Sequence, residues 1–198
     1  MSASALSPLD PATTALILVD LQKGIVSRQT APHSTADVVA RGAQLADRFR
    51  AAGALVILVR VSFSSDYRDA LQVPSEVSVS PQSFPAGWDE LVPEIGPKEG
   101  DLVVTKKQWG AFYGTDLELQ LRRRGIRTLV VGGVATNIGV ESTVRTAYEL
   151  GFAQILVEDA MTSLNAEAHE GSCKFIFPRV GYLRSTADVL QALSPANS

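Results

Sequence analysis

The 198-residue chain has one cysteine, Cys173, and two histidines, His33 and His169. A single thiol excludes an intrachain disulfide and a multi-thiolate metal centre. The histidines form no His-x-His pair and no equivalent cluster in the sequence, so the expectation is a protein without metal or cofactor. No apolar run approaches the roughly 20 residues needed to span a bilayer, so no membrane partner is expected. Met1 to Pro11 has neither a basic nor an apolar leader segment, so no secretory signal is read and a cytoplasmic location is expected. Positive charge is not in excess. Eighteen Lys and Arg stand against 21 Asp and Glu, net −3, which excludes a general basic nucleic-acid surface. There is no internal repeat, and no charge run exceeds Arg122-Arg123-Arg124. Apolar residues make up 45% and charged residues 20%, an ordinary globular balance with enough chain to bury a core. One domain is expected over residues 1–198, its core spanning about 14–193.

What is present alternates between strand and helix patterns. Leu16-Ile17-Leu18-Val19 is part of an apolar run that ends at Asp20, which reads as a strand buried on both faces. Val38, Gly42, Leu45, Ala46 and Phe49 recur at helical spacing within Thr35–Ala52, and Gly53 follows as a stop. Further strands are expected at Ala54–Val61, Leu102–Val104, Thr128–Val131, Ile155–Val157 and Val180–Leu183. Thr115 to Glu118 has capping-box spacing and should open a helix that ends near Gly125. Other helices are expected at Asn137–Leu150, Ala166–Phe177 and Thr186–Leu193. Ser62 to Gly100 holds Pro74, Pro81, Pro85, Pro93 and Pro97 and little periodicity. A stretch this long reads as a functional loop, either a lid or a contact region. Repeated strand–helix–strand units point to an α/β fold, a three-layer α/β/α sandwich around a parallel sheet. In such sheets ligands bind beyond the carboxyl ends of the strands, where the strand order reverses.

Several residues stand at those ends. Asp20, placed after a buried run, suits acid/base work because desolvation raises a carboxyl pKa. The same placement suits a turn cap. Lys106 and Lys107 follow the third strand and read either as partners of a carboxylate or as solvated loop residues. Trp109, Phe112 and Tyr113 read as a pocket wall or as core packing. Gly132 and Gly133, leading through Val134 and Ala135 to Gly139, permit close backbone approach to a ligand or simply make a tight turn. Their spacing fits no nucleotide-binding glycine motif.

Taken together these segments resemble the isochorismatase-like hydrolases, also called the cysteine hydrolase family. The resemblance runs from about Thr14 to Leu193. It rests on Leu16 to Gln22, on Lys106 ahead of Ala111-Phe112-Tyr113-Gly114-Thr115-Asp116-Leu117, and on Val131 to Ile138 leading into Val140. It implies a six-stranded parallel sheet of order 3-2-1-4-5-6, with Asp20 and Gly139 facing each other across one crevice. It also implies a cis peptide at Val134–Ala135 and a homo-oligomer, dimer or tetramer. The family's Asp and Lys fall on Asp20 and Lys106, and its nucleophilic cysteine falls on Gly139, which has no side chain to attack with. Gln22, Val134, Ala135, Trp109, Phe112 and Tyr113 are the substrate-binding candidates by motif position. The metal site of nicotinamidase-type members has no matching histidines here.

Members that cleave a vinyl ether are similar in having glycine at this position. They need a proton donor with a raised pKa and a water, and no nucleophilic side chain. The reading is therefore a hydrolase of a small, anionic, unsaturated substrate, with Asp20 as acid/base, tuned by Lys106. Arg60 and Arg68 are candidate partners for substrate carboxylates. The alternatives are an inactive small-molecule-binding homologue, and an amidase of the same family using Cys173. Beside Phe175 and Ile176, that residue reads as a packing cysteine.

Overall fold

The computed structural model describes residues 6–77 and 84–193. Residues 78–83, which include Pro81, and residues 1–5 and 194–198 lie outside that description. Six strands form one sheet in the order β3-β2-β1-β4-β5-β6. They are β1 (Thr14–Val19), β2 (Leu55–Val61), β3 (Leu102–Lys106), β4 (Thr128–Val134), β5 (Ala153–Thr162) and β6 (Tyr182–Arg184). Every neighbouring pair is parallel. The helices are α1 (Lys23–Val26), α2 (Thr35–Ala51), α3 (Leu117–Arg123), α4 (Glu141–Glu149), α5 (Ala166–Gly171), α6 (Phe177–Val180) and α7 (Thr186–Ala192). Two wide π-helical turns, Thr136–Val140 and Ser172–Ile176, run into α4 and α6.

Strand periodicity makes the three layers. Leu16, Leu18, Val56, Leu58 and Val130 point to one face, where Val38, Leu45 and Phe49 of α2 cover them. Ala15, Ile17, Val19, Ile57, Val59 and Val131 point to the other, under Leu117 and Leu121 of α3 and Val144 and Ala147 of α4. Strands sandwiched this way are apolar at every position, which is why β1 is a continuous buried run.

Element boundaries depart from the sequence expectation where long-range contacts decide. β4 runs on to Val134 and β5 to Thr162, with a shift in their register between Val131 and Gly133. Gly132 and Gly133 serve this junction. A Cβ at Gly133, where φ is +125°, would lie 2.1 Å from Val19 O, and one at Gly132 would lie 2.8 Å from Ala160 O. The close approach these glycines allow is to strands β1 and β5. The capping box expected at Thr115 does not form. The Thr115 hydroxyl donates to Ala111 O at 2.6 Å, and Asp116 is the N-cap, without a side-chain cap bond. A capping box forms instead at Ser185 and Asp188, opening α7. The helix expected from Asn137 opens with a π turn and the one expected from Ala166 is interrupted by one, which periodicity alone does not reveal.

In the long segment between β2 and β3, the described residues form no helix or strand. Residues 84–92 nonetheless fasten to the chain after β1. Lys23 N donates to Glu90 O, Gly24 N to Trp88 O, and Val92 N to Leu21 O. Trp88 is buried and stacks on Phe84 and Phe63. Gly24 is required under it, since a Cβ there would lie 2.7 Å from Trp88 Cβ.

Candidate active site

The site is assembled where β1, β3 and β4 end. Asp20 follows β1 with φ of +54°, a left-handed conformation that L-residues other than Asn and Asp seldom adopt. Its amide continues the ladder by donating to Val59 O, and its carbonyl accepts from Gln22 N. The turn thus fixes the carboxyl group over the strand ends. Lys106, the last residue of β3, is 2% exposed and donates from Nζ to Asp20 Oδ2 at 2.7 Å and to Gln108 O at 3.1 Å. Successive strand residues point to opposite faces. Lys107 therefore turns away and pairs with Asp69 at 2.7 Å. The choice of Lys106 over Lys107 is made by that alternation.

Gly139 sits opposite, in the turn after β4. A Cβ there would lie 3.0 Å from Asp20 Oδ2, 3.2 Å from Val19 Cγ1 and 3.6 Å from Trp109 O. The crevice between Asp20 and Gly139 is thus lined by the carboxylate on one side and bare backbone on the other. The Thr143 hydroxyl donates to Gly139 O at 2.7 Å and accepts from Ala111 N at 3.1 Å. It ties the turn to the Trp109–Tyr113 loop. Gln108 steadies the same loop, donating from Nε2 to Gly110 O and Tyr113 O. Neither Thr143 nor Gln108 announces itself in the sequence; each acts through backbone atoms.

The electrostatics follow from burial. Desolvation raises the Asp20 carboxyl from 3.8 to about 6, against the opposing pull of Lys106 and a weaker one from the Val61 amide. That amide is itself committed to Gln22 Oε1 at 2.8 Å. Asp20 Oδ1 is buried without a hydrogen-bond partner among the described residues. A buried polar atom left unpaired is costly and marks a place for a ligand or water.

The remaining candidates divide. Gln22 is fully buried, and both ends of its amide are used by Val61, with Nε2 donating to the carbonyl and Oε1 accepting from the amide. Val134 is buried and Ala135 half-buried, and the bond between them is cis. Phe112 is in the core beside Phe152, whereas Trp109 is 62% and Tyr113 83% exposed. Arg60 donates to Thr105 Oγ1, and Arg68 faces Asp66 in solvent. Cys173 neighbours His169, with Sγ 3.5 Å from Nε2. Burial, then Glu158 and Glu170, push its thiol up to about 12. No hydrogen bond joins it to Asp20 or Lys106 among those of the described residues. The two histidines, separate in sequence, do meet. His33 Nε2 and His169 Nε2 each lie 3.2 Å from Glu158 Oε1. The expectation of no histidine cluster does not hold, because the fold makes one from three distant segments.

Comparison with known proteins shows the family and the fold. Residues 14–188 match the family described as the isochorismatase domain. The isochorismatase family protein YecD of Escherichia coli O157:H7 is 48% identical over 185 residues, covering 93% of this chain and 98% of that protein. The structure of an isochorismatase family protein from Burkholderia thailandensis superposes with a TM-score of 0.90 at 46% identity, covering 96% of this chain and 99% of that one. The ureidoacrylate amidohydrolase RutB of Methylorubrum extorquens is 32% identical over 209 residues, covering 93% of this chain and 84% of that protein.

Proposed function

The chain belongs to the isochorismatase family of hydrolases, and on that premise we propose that it hydrolyses a small, anionic, unsaturated substrate by proton transfer from Asp20, with no cysteine nucleophile. The observation that carries this reading is the Asp20 carboxyl itself. It is buried, holds its proton up to about pH 6, keeps an unpaired Oδ1, and sets its Oδ2 toward the bare backbone of Gly139. A carboxyl held neutral near working pH is a competent general acid.

The chemistry that fits is cleavage of a vinyl ether. Protonated Asp20 delivers its proton to the vinyl carbon, and the adjacent carbon becomes an oxocarbenium. Water adds there, and the resulting hemiketal collapses to a carbonyl and an alcohol, with one proton returned to Asp20. Lys106 stabilises the carboxylate left behind after transfer. At Gly139 bare backbone comes up to the carboxyl group where even a methyl would press on Asp20 Oδ2.

The likeness to an amidohydrolase favours a second reading, a thiol-dependent amidase. That reading requires a reactive thiol, and the chain's one thiol is held protonated beside His169. The two separate by experiment. Asp20→Ala should lower turnover of a vinyl-ether substrate by about 10²–10⁴-fold. Turnover surviving within a few-fold would remove Asp20 from the chemistry. Complete alkylation of Cys173 should leave activity intact; its loss would favour the amidase.

A further inference from the structure

We propose that His33, Glu158 and His169 form a binding site for a zinc-class divalent cation, separate from the Asp20–Lys106 centre. The donor atoms lie within 4.8 Å of one another. Both imidazole Nε2 atoms converge on the same carboxylate oxygen at 3.2 Å. That spacing is longer than the roughly 2.7–2.9 Å of a charge-assisted hydrogen bond. It matches the edge of a coordination tetrahedron with metal–ligand bonds of about 2.0 Å, which is about 3.3 Å.

The donors are held in advance. The His33 carbonyl accepts from Thr30 Oγ1 at 2.8 Å and from Thr162 Oγ1 at 2.7 Å, fixing the backbone that carries the ring. Ala31 pairs with Ser163 just before it. His169 is 2% exposed, and its Nδ1 lies 2.9 Å from Thr136 Oγ1. With a cation on Nε2, the imidazole proton resides on Nδ1 and is donated to the Thr136 hydroxyl. This is the outer partner that orients metal-bound histidines. The rings of His33 and His169 stand edge to face, 88° apart, so their nitrogens approach a common point from different directions.

The donor chemistry selects the ion. Two neutral imidazoles and one carboxylate suit zinc, cobalt or nickel; calcium and magnesium prefer oxygen ligands throughout. Cys173 Sγ, 3.5 Å from His169 Nε2, adds a soft atom at the edge of the site. The side chains of His33 and Glu158 are 24% and 38% exposed, which gives an ion a path from solvent. A bound cation would clamp the His33 segment to β5 and α5, and through Thr136 would brace the turn that carries Gly139.

The test uses the full chain stripped with a chelator. Titration with zinc chloride, followed by calorimetry, should show one equivalent bound per chain with a dissociation constant of about 1 µM or tighter. Cobalt should give the visible absorption of a four-coordinate site, and magnesium should not compete. His33→Ala, on a surface segment, should weaken zinc binding by at least about 100-fold, and Thr136→Val by about ten-fold. With chelator present His33→Ala should melt like the parent, whereas Thr136→Val, which leaves the buried His169 Nδ1 without its partner, should melt lower. Glu158→Gln should weaken binding as His33→Ala does. Absence of saturable binding by the parent at about 100 µM zinc, or binding unchanged in His33→Ala and Glu158→Gln, would overturn the assignment.

Discussion

Replacing Gly139 by alanine tests how tightly the crevice is drawn around Asp20. The added methyl would sit 3.0 Å from Asp20 Oδ2 and 3.2 Å from Val19 Cγ1, inside ordinary contact distance on two sides. Neither neighbour yields easily. Val19 is fully buried in β1, and the Asp20 carboxylate is short, pinned by the turn and held by Lys106 at 2.7 Å. Overpacking of this kind costs about 1–3 kcal/mol. In a chain of this length that corresponds to a fall in melting temperature of about 2–12 °C. Gly171 supplies the control. It is helical, with nothing within 4 Å of an added Cβ, so Gly171→Ala should be neutral or gain up to about 1 kcal/mol. Thermal melts of both variants beside the parent are sufficient. If Gly139→Ala melts within about 1 °C of the parent, there is free space beside Asp20, and the close-packed crevice is wrong.

Other outcomes follow from the same geometry. Lys106→Met removes the cation that pulls the Asp20 pKa down, so the alkaline limb of the pH–rate profile should move to higher pH; a limb that stays put would separate Lys106 from the acid. Lys107→Ala, by contrast, touches only an exposed pair with Asp69 and should change kcat/KM by less than about two-fold. Stability should carry the mark of Asp20 as well. Because the folded carboxyl is raised from 3.8 to about 6, its contribution of about 3 kcal/mol is complete below pH 4 and lost as pH rises through 6. Denaturant melts of the parent and Asp20→Asn across that range should therefore differ in pH slope, and parallel slopes would contradict the shift.

The sheet was legible because its strands are buried on both faces. Such strands appear in sequence as uninterrupted apolar runs, and Leu16–Val19 and Leu55–Val59 are unmistakable. Asp20 was legible for the same reason, as the first charge after such a run. What escaped depends on contacts between distant segments. The π turns at 136–140 and 172–176 insert a residue into otherwise helical spacing. Gln22 sits within the motif, yet its amide is used by Val61. Thr143 works through the Gly139 carbonyl, a partner no side-chain pattern reveals. His33, Glu158 and His169 share no local spacing; β5 and the two segments packed on it bring them together.

The account's central claim is that a shielded carboxyl at residue 20 keeps its proton into the range where it can serve as an acid. The direct measurement is a carbon-13 NMR titration of the Asp20 side-chain carboxyl in the folded parent protein. The expected midpoint is about 6. A midpoint at or below the ordinary 3.8 would leave Asp20 ionised throughout the working range and contradict its role as proton donor.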